Sequence, residues 1–210
     1  MKRSNLIFIE LIAIWLTSCM VGQKVQYDKL AANIEVQGTK SVSIAVLDNR
    51  VHILKDGKPQ SFVGYLRGAY GNPFLLVTKS SGPLADDIAS SINETLSQKG
   101  FKCSVVATVP TDGEKAVVDK LKSKGSEISI LFLMNSWWTD TYMTTLLNYD
   151  VTISVYDKNG IQLATKNFKE SKKGLGVNII GTEYRKKVPA GFKTELEKMF
   201  NDADIKKSLQ

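Results

Sequence analysis

The sequences ISILFLM at residues 128–134 and YDVTISVYDKNGIQLATKNF at residues 149–168 decide the fold of this chain. In the first stretch both alternating sets of residues are largely apolar, which is typical of a central strand buried on both faces. In the second, apolar and polar residues alternate from Tyr149 to Val155, and Asp157-Lys158-Asn159-Gly160 precedes another strand at 161–168. Because Asn-Gly favours a tight hairpin turn, this pattern predicts an antiparallel meander.

Shorter strands are predicted upstream of the meander. Residues 41–47 are apolar on both alternating faces and predict a mostly buried strand. Residues 51–54 and 62–66 flank Lys55-Asp56-Gly57-Lys58, and because Asp-Gly suits a tight reversal, they predict a β-hairpin. Residues 75–78 and 101–107 are also expected to be strands.

Three segments have the periodicity of amphipathic helices. The first apolar face consists of Leu84, Ile88, Ile92 and Leu96. Pro83 suits the first turn of this helix, Asp86 and Asp87 complement its positive end, and Gly100 ends it. A shorter helix is expected to be capped by Asp112 and to stop at Gly125. The last apolar face consists of Phe192, Leu196, Met199 and Phe200, and Asn201-Asp202 begins a short tail.

These elements predict an α/β (α+β) fold with a mixed, largely antiparallel sheet and two or three helices packed on it. Gly174, Gly176 and Gly181 in a lysine-rich stretch predict a mobile loop before the last helix.

The N-terminus resembles a bacterial lipoprotein signal peptide. Lys2 and Arg3 precede an apolar run, too short to span a bilayer, that ends in Leu16-Thr17-Ser18-Cys19. Such a lipobox implies cleavage before Cys19 and acylation of that residue, which would anchor the chain in a membrane. An ordinary signal peptide or a buried helix with a chance cysteine is the alternative. Met20, rather than aspartate, follows the cysteine and favours an outer-membrane address facing the periplasm; surface display stays open.

The predicted organisation is a signal peptide at 1–18, a lipidated cysteine and tether at 19–40, and a single domain at 41–210. Removing residues 1–18 from the 210-residue chain leaves 192 residues, which suit one core. Within the tether, Tyr27, Leu30 and Ile34 are apolar enough to lie along the domain instead.

Charge and cysteine content narrow the classes of function. The net charge of +7 falls to +6 when Lys2, Arg3 and Glu10 leave, and the remaining cations are dispersed, which favours a solvated surface over nucleic-acid binding. The short clusters Lys172-Lys173 and Arg185-Lys186-Lys187 are weak signs of an anionic partner.

With Cys19 lipidated, Cys103 has no intramolecular disulfide partner, and we expect a buried small side chain rather than a reactive thiol.

The order of these features resembles small bacterial lipoproteins typified by the YajG family, with a looser similarity to envelope and transport-auxiliary lipoproteins. The resemblance is carried by Cys19, the strand at 42–47, the helix at 84–100 that ends in Gly-Phe, the segment at 138–142, and the hairpin at 149–163. It implies helices packed on one sheet and supplies no catalytic residues.

The best candidate for a partner-binding surface is the segment that contains Trp137, Trp138, Asp140 and Tyr142. Adjacent strand residues point to opposite faces, so a one-sided core buries only one of the two tryptophans. An exposed indole beside Asp140 and Tyr142 would suit a sugar ring, a peptide or a partner's pocket. If both faces of the sheet are covered, both rings are core residues instead.

Residues that commonly build catalytic or metal centres are scarce. His52 is the single histidine, which removes the usual parts of histidine-rich metal sites and of His-assisted nucleophiles. Asp86 with Asp87, and Asp202 with Asp204, are better explained by helix dipoles and solvation than by catalysis or calcium binding. We therefore expect no catalytic residues, metal or cofactor, and a lipid-anchored factor that binds an envelope protein or glycan. The alternative is an envelope hydrolase or transferase with an unrecognised carboxylate site.

Overall fold

The structure is a computed structural model that describes residues 23–177 and 182–210. In these ranges the chain forms one mixed sheet of eight strands, packed against five helices. The strands are β1 (Gln23–Val25), β2 (Ser41–Asp48), β3 (Phe62–Arg67), β4 (Pro73–Thr78), β5 (Lys102–Val105), β6 (Ile128–Thr141), β7 (Thr144–Asp157) and β8 (Gln162–Val177). The helices are α1 (Val51–Leu54), α2 (Leu84–Ser97), α3 (Glu114–Lys122), α4 (Tyr184–Phe200) and α5 (Ala203–Leu209).

Strand β6 is the centre of the sheet, as its apolar pattern predicts. On one side it pairs along its length with the antiparallel β7. On the other side, β2 pairs in parallel with its first half, from Val42 with Ile128 to Asp48 with Met134. Strand β3 pairs in parallel with its end, from Gly64 with Thr139 to Leu66 with Thr141. Strand β5 extends the sheet beyond β2, and β4 followed by β1 extends it beyond β3. The sheet therefore divides into two branches on this side of β6.

The antiparallel meander β6–β7–β8 is confirmed, and the mixed α+β class is confirmed with it. In the turn after β7, the Asp157 carboxylate accepts hydrogen bonds from the backbone of Asn159 at 2.9 Å and of Ile161 at 2.8 Å, and Gly160 has a φ of 81°. The long strand pairs are antiparallel, whereas β2 and its neighbours pair in parallel. Strand β8 continues through Gly174 and Gly176 to Val177, so the loop predicted there is wrong for these two glycines.

Helices cover both faces of the sheet. The predicted apolar face of α2 is confirmed, because Leu84, Ile88, Ile92 and Leu96 are all buried in the main core. The apolar face of α4 packs into the same core. Helix α3 covers the opposite face through Val117 and Leu121. Its cap is Gly113 rather than the predicted Asp112, whose carboxylate instead accepts from the backbone of Val109 and from Lys120.

The tether predicted over 19–40 is wrong from Gln23 onward. Strand β1 pairs with β4, and the chain then crosses α2, burying Tyr27, Ile34 and Val36 in the main core. Hydroxyl groups of α2, rather than a neighbouring strand, accept the backbone hydrogen bonds of this segment. Ser91 Oγ accepts from the backbone of Leu30 at 2.8 Å, and Thr95 Oγ1 accepts from the backbone of Ala32 at 3.0 Å. An irregular segment held in this way has no periodicity in the sequence. The alternative in which Tyr27, Leu30 and Ile34 lie along the domain is therefore the one found.

The hairpin predicted from 51–54 to 62–66 is also wrong, because residues 51–54 form α1. Arg50 turns the chain after β2 by pairing with Asp48, and β3 is already paired on both edges, with β4 and β6. No edge is left for a strand at 51–54. At the C-terminus the predicted tail is a helix instead, and the Asp202 carboxylate caps it by accepting from the backbone of Asp204 at 3.1 Å.

The signal peptide and Cys19 lie outside the described residues. Within residues 23–177 and 182–210, the helices are too short or too polar to cross a bilayer.

Candidate functional site

The two tryptophans of β6 point to opposite faces of the sheet. Trp137 is 0% exposed and belongs to the main core. Its indole stacks on Tyr149 at a centroid distance of 5.4 Å, meets Phe192 edge-on at 5.5 Å, and donates through Nε1 to the hydroxyl of Tyr27 at 3.2 Å. Trp137 is thus a structural residue, which corrects its place among the candidate binding residues.

Trp138 lies on the other face and is only partly buried. Its ring meets His52 of α1 at 5.9 Å and Tyr65 of β3 at 6.4 Å. Below them, the buried Phe62 contacts His52 at 5.3 Å and Tyr65 at 5.2 Å, so the four rings form a closed cycle. We call His52, Tyr65 and Trp138, with Phe62 as their base, the outer aromatic surface.

Polar groups lie beside the outer aromatic surface. Arg67 and Asp140 form a two-pronged ion pair, with Nε to Oδ1 at 2.7 Å and Nη2 to Oδ2 at 2.6 Å. Lys58 Nζ lies 5.7 Å from the centre of the Tyr65 ring. The Tyr142 hydroxyl donates to the carbonyl of Ala69 at 3.1 Å, which joins the β6–β7 turn to the β3–β4 loop. The candidate residues Trp138, Asp140 and Tyr142 are thus held in place by contacts with β3 and its loop.

Apolar side chains continue this surface into solvent. Val51 and Leu54 on α1 are 47% and 44% exposed, and Leu75, which pairs with Tyr65 across β4 and β3, is also exposed. At the end of the same strands, Tyr70 is 99% exposed. Large apolar groups that stay in water beside a rigid aromatic cluster are typical of a protein-binding surface.

A buried ion pair fixes the backbone beneath the outer aromatic surface. The Arg50 guanidinium is fully buried and binds the Asp48 carboxylate at 2.7 and 2.8 Å. It also donates to the carbonyls of Phe62 at 2.6 Å, Trp137 at 3.2 Å and Gln60 at 3.2 Å. One side chain thereby ties the end of β2 and the start of β3 to β6, and the aromatic rings have a rigid base.

The surroundings of His52 favour its neutral form. Burial lowers the pKa of His52, and the nearby Arg50 and Lys58 lower it further, against an opposing effect of Asp56. Its Nδ1 is buried and has no hydrogen-bond partner among the described residues. At neutral pH the ring therefore contributes an uncharged, planar contact surface.

Other ionisable groups do not join the outer aromatic surface. Asp86 and Cys103 line a groove between α2 and β5, and burial raises the pKa of both. Cys103 pairs with Val42 near the start of β2. His52 follows the opposite end of this strand, and the six residue steps from Val42 to Asp48 span about 20 Å. His52 therefore cannot activate this thiol. Among the described residues there is also no cluster of three metal-ligating side chains.

Two buried carboxylates lie in other parts of the domain. The fully buried Glu195 of α4 accepts a hydrogen bond from the Tyr149 hydroxyl at 2.6 Å and forms an ion pair with Lys173 of β8. Asp87 of α2 is buried, and burial raises its pKa to about 6. Its Oδ2 has no hydrogen-bond partner in the described chain.

Sequence reasoning missed His52 and Tyr65 as members of the site. Both lie in the segment that was predicted as a hairpin, and both reach Trp138 through tertiary contacts. The nearest signal in the sequence is the aromatic and apolar content of residues 51–66.

No protein-family model matches the sequence, and no curated protein matches it either. Solved structures similar to the chain include a DUF330 protein from Xanthomonas campestris, with 12% identity and a TM-score of 0.49 over 91% of this chain and 95% of that one. The lipoprotein GNA1162 from Neisseria meningitidis has 12% identity and a TM-score of 0.34, over 78% of this chain and 99% of that one. The LpoB C-terminal domain from Salmonella enterica has 9% identity and a TM-score of 0.34, over 67% of this chain and 88% of that one. The similar structures thus include a lipoprotein.

Proposed function

We propose that this chain is a lipid-anchored, non-catalytic binding or assembly factor of the bacterial cell envelope. Acylated Cys19 holds it on the outer membrane facing the periplasm, and the outer aromatic surface binds an envelope protein or glycan. The observation that carries this proposal is the cluster of His52, Tyr65 and Trp138, which is rigid, aromatic and open to solvent.

Rigidity makes this cluster suited to binding. A partner that docks on it loses little free energy to ordering, because the ring contacts and the Arg50 network already hold the side chains in place. Tryptophan, tyrosine and arginine are the residues that dominate binding energy at protein interfaces. Trp138, Tyr65 and Arg67 lie together here, with Asp140 holding the guanidinium.

The anchor would supply local concentration. Each buried methylene contributes about 0.8 kcal/mol of membrane affinity, so two or more acyl chains on Cys19 would hold the domain at the membrane. A surface of modest intrinsic affinity is sufficient for a partner in the same membrane.

The described residues support binding over hydrolysis or group transfer. Catalysis by carboxylates needs two ionisable groups that face one reacting bond. Asp48 and Glu195 are instead held in buried ion pairs, and Asp140 is held by Arg67.

The test is capture of partners from intact cells after chemical crosslinking, with wild type compared with Trp138→Ala and Tyr65→Ala. We expect both substitutions to remove the same partner. Leu163→Ala is the control, because Leu163 is an apolar residue on β8 that is 50% exposed and lies away from the site. Retention of every partner by both site variants would contradict the proposal.

Two further measurements address the anchor. The mass of the N-terminal peptide reports acylation of Cys19 directly. Cys19→Ala is expected to leave the protein unacylated and to reduce capture of the same partner. An unmodified Cys19 in the wild-type protein would refute the anchor.

A further inference from the structure

Three cations converge at the end of the described chain that lies nearest Cys19. Lys24 of β1, Lys79 just after β4 and Arg185 of α4 line a cleft of about 360 Å³ together with Gln26. The backbone holds two of these elements together, because Lys79 N donates to the carbonyl of Val25 at 2.8 Å. We call this feature the basic cleft.

The charge of the basic cleft is not neutralised by the described residues. No carboxylate in the described chain lies within 4.0 Å of Lys24, Lys79 or Arg185. The contacts are neutral ones: Lys24 Nζ donates to Ser81 Oγ at 2.8 Å, and Arg185 Nη2 donates to Gln23 Oε1 at 2.7 Å. Three exposed cations therefore face one cleft and retain their full attraction for an anion.

The start of α4 adds to this positive potential. Arg185, Lys186 and Lys187 occupy its first turn, which holds no acidic residue. The N-terminus of a helix carries a partial positive charge that favours acidic side chains, and Glu183 at the N-cap offsets only part of the charge of these three cations. An anionic partner at this end of the helix would offset the remaining charge.

The length of the chain brings this face close to the predicted anchor. Cys19 precedes Gln23 by four residues, which span at most about 14 Å when fully extended. A lipid-modified Cys19 would thus keep Lys24 and its neighbours within reach of the phosphates of the same leaflet.

We propose that the basic cleft docks on the phosphate headgroups of an anionic lipid leaflet and orients the domain on the membrane. This inference rests on the proposed acylation of Cys19. Only two strand spacings, about 10 Å, separate β1 from β3, which carries Tyr65. Docking would therefore present the outer aromatic surface to partners that lie close to the membrane.

The test is an amine-labelling footprint of the acylated protein. The protein is reconstituted in vesicles of phosphatidylcholine alone, or of phosphatidylcholine with 30% phosphatidylglycerol, and treated briefly with an acetylating reagent. Mass spectrometry then gives the labelling rate of each lysine. With the anionic lipid we expect the labelling of Lys24 and Lys79 to fall about five-fold or more, since each cation near an anionic surface adds about a five-fold preference. Lys102, Lys115 and Lys124, which are exposed elsewhere, should not change.

Salt and charge reversal supply the controls. Adding 0.5 M NaCl should restore the labelling of Lys24 and Lys79, because screening removes an attraction between exposed charges. Arg185→Glu should also restore much of it. Lys115→Glu changes the net charge equally on a distant helix and should not.

Each other outcome overturns the inference. Equal labelling in both vesicles would show that the basic cleft does not contact lipid. Protection by 10 mM inorganic phosphate in phosphatidylcholine vesicles would assign the cleft to free anions instead. The mass of the N-terminal peptide separates the two proposals: a chain without lipid on Cys19 would contradict both, whereas an acylated chain with equal labelling would contradict only this one.

Discussion

Replacing either tryptophan of β6 by alanine should have sharply different effects on stability. Trp137→Ala removes a fully buried indole that contacts three aromatic rings and donates to the hydroxyl of Tyr27. Substitutions of this kind cost about 3 to 5 kcal/mol, because the lost burial is compounded by a cavity. At roughly 2 to 4 °C per kcal/mol for a domain of this size, a loss of about 4 kcal/mol lowers the melting temperature by about 8 to 16 °C.

Trp138→Ala should cost much less free energy of unfolding. The Trp138 ring is partly exposed already and makes two edge contacts, with His52 and Tyr65. Aromatic pairs contribute about 0.5 to 1.5 kcal/mol each, less where solvent replaces them, so we expect a loss of about 1 to 2 kcal/mol. The two variants should therefore differ by at least about 1 kcal/mol, and by about 2 to 3 kcal/mol for a loss of about 4 kcal/mol in Trp137→Ala.

Urea unfolding followed by far-ultraviolet circular dichroism measures both free energies. Phenylalanine variants give a second reading, since each leaves one tryptophan in the domain as a fluorophore. Acrylamide should quench Trp138 in Trp137→Phe strongly and Trp137 in Trp138→Phe weakly. Equal losses of stability, or equal quenching, would refute the placement of the two indoles on opposite faces.

Three further substitutions test other parts of the structure. Asp87→Asn should raise the free energy of unfolding by about 1 to 2 kcal/mol at pH 8 and change it little at pH 4. The reason is that burial raises the pKa of Asp87 from 3.8 to about 6. The charged carboxylate therefore destabilises the folded state fully above pH 6 and not at all well below pH 3.8. An equal gain at both pH values in urea unfolding would contradict this. Arg50→Ala leaves the Asp48 charge buried and unpaired, and should cost about 3 to 5 kcal/mol in a thermal melt, whereas a loss below about 1 kcal/mol would contradict its role. Gly64→Ala would place a Cβ 2.1 Å from the carbonyl oxygen of Thr139 at a φ of 146°, so it should prevent folding, as read by soluble yield. Gly57→Ala, with a φ of 64° and open space around it, is the control and should cost about 1 kcal/mol; equal yields of the two variants would contradict the close approach of β3 and β6.

Elements with a strong local pattern were predictable from the sequence. The meander β6–β7–β8 has alternating residues and an Asn-Gly turn, and α2 has four apolar residues at a spacing of four. In both cases the residues that set the structure are close neighbours in the chain. The mixed α+β class followed from these elements.

Elements that depend on distant contacts were not predictable. The segment from Tyr27 to Val36 is buried because α2 supplies hydroxyl acceptors for its backbone, which no local period indicates. Residues 51–54 have the apolar content of a strand and form α1 because both edges of β3 are occupied.

The candidate site shows the same division. Alternation correctly predicts that the two indoles face opposite ways, but counting in twos from Ile128 would put Trp138 in the core. The irregularity between Met134 and Ser136 reverses the alternation and places Trp137 there instead. A bulge of this kind has no clear mark in the sequence.

Site-specific photocrosslinking in living cells shows directly whether the outer aromatic surface contacts a partner. A photoreactive benzoylphenylalanine replaces Tyr65 in the outer aromatic surface and, in a separate variant, Leu163 on β8. We expect a discrete crosslinked envelope partner from position 65 that is lost with Trp138→Ala, and no such product from position 163. The same product from both positions, or a product from position 65 that persists in Trp138→Ala, would contradict this expectation.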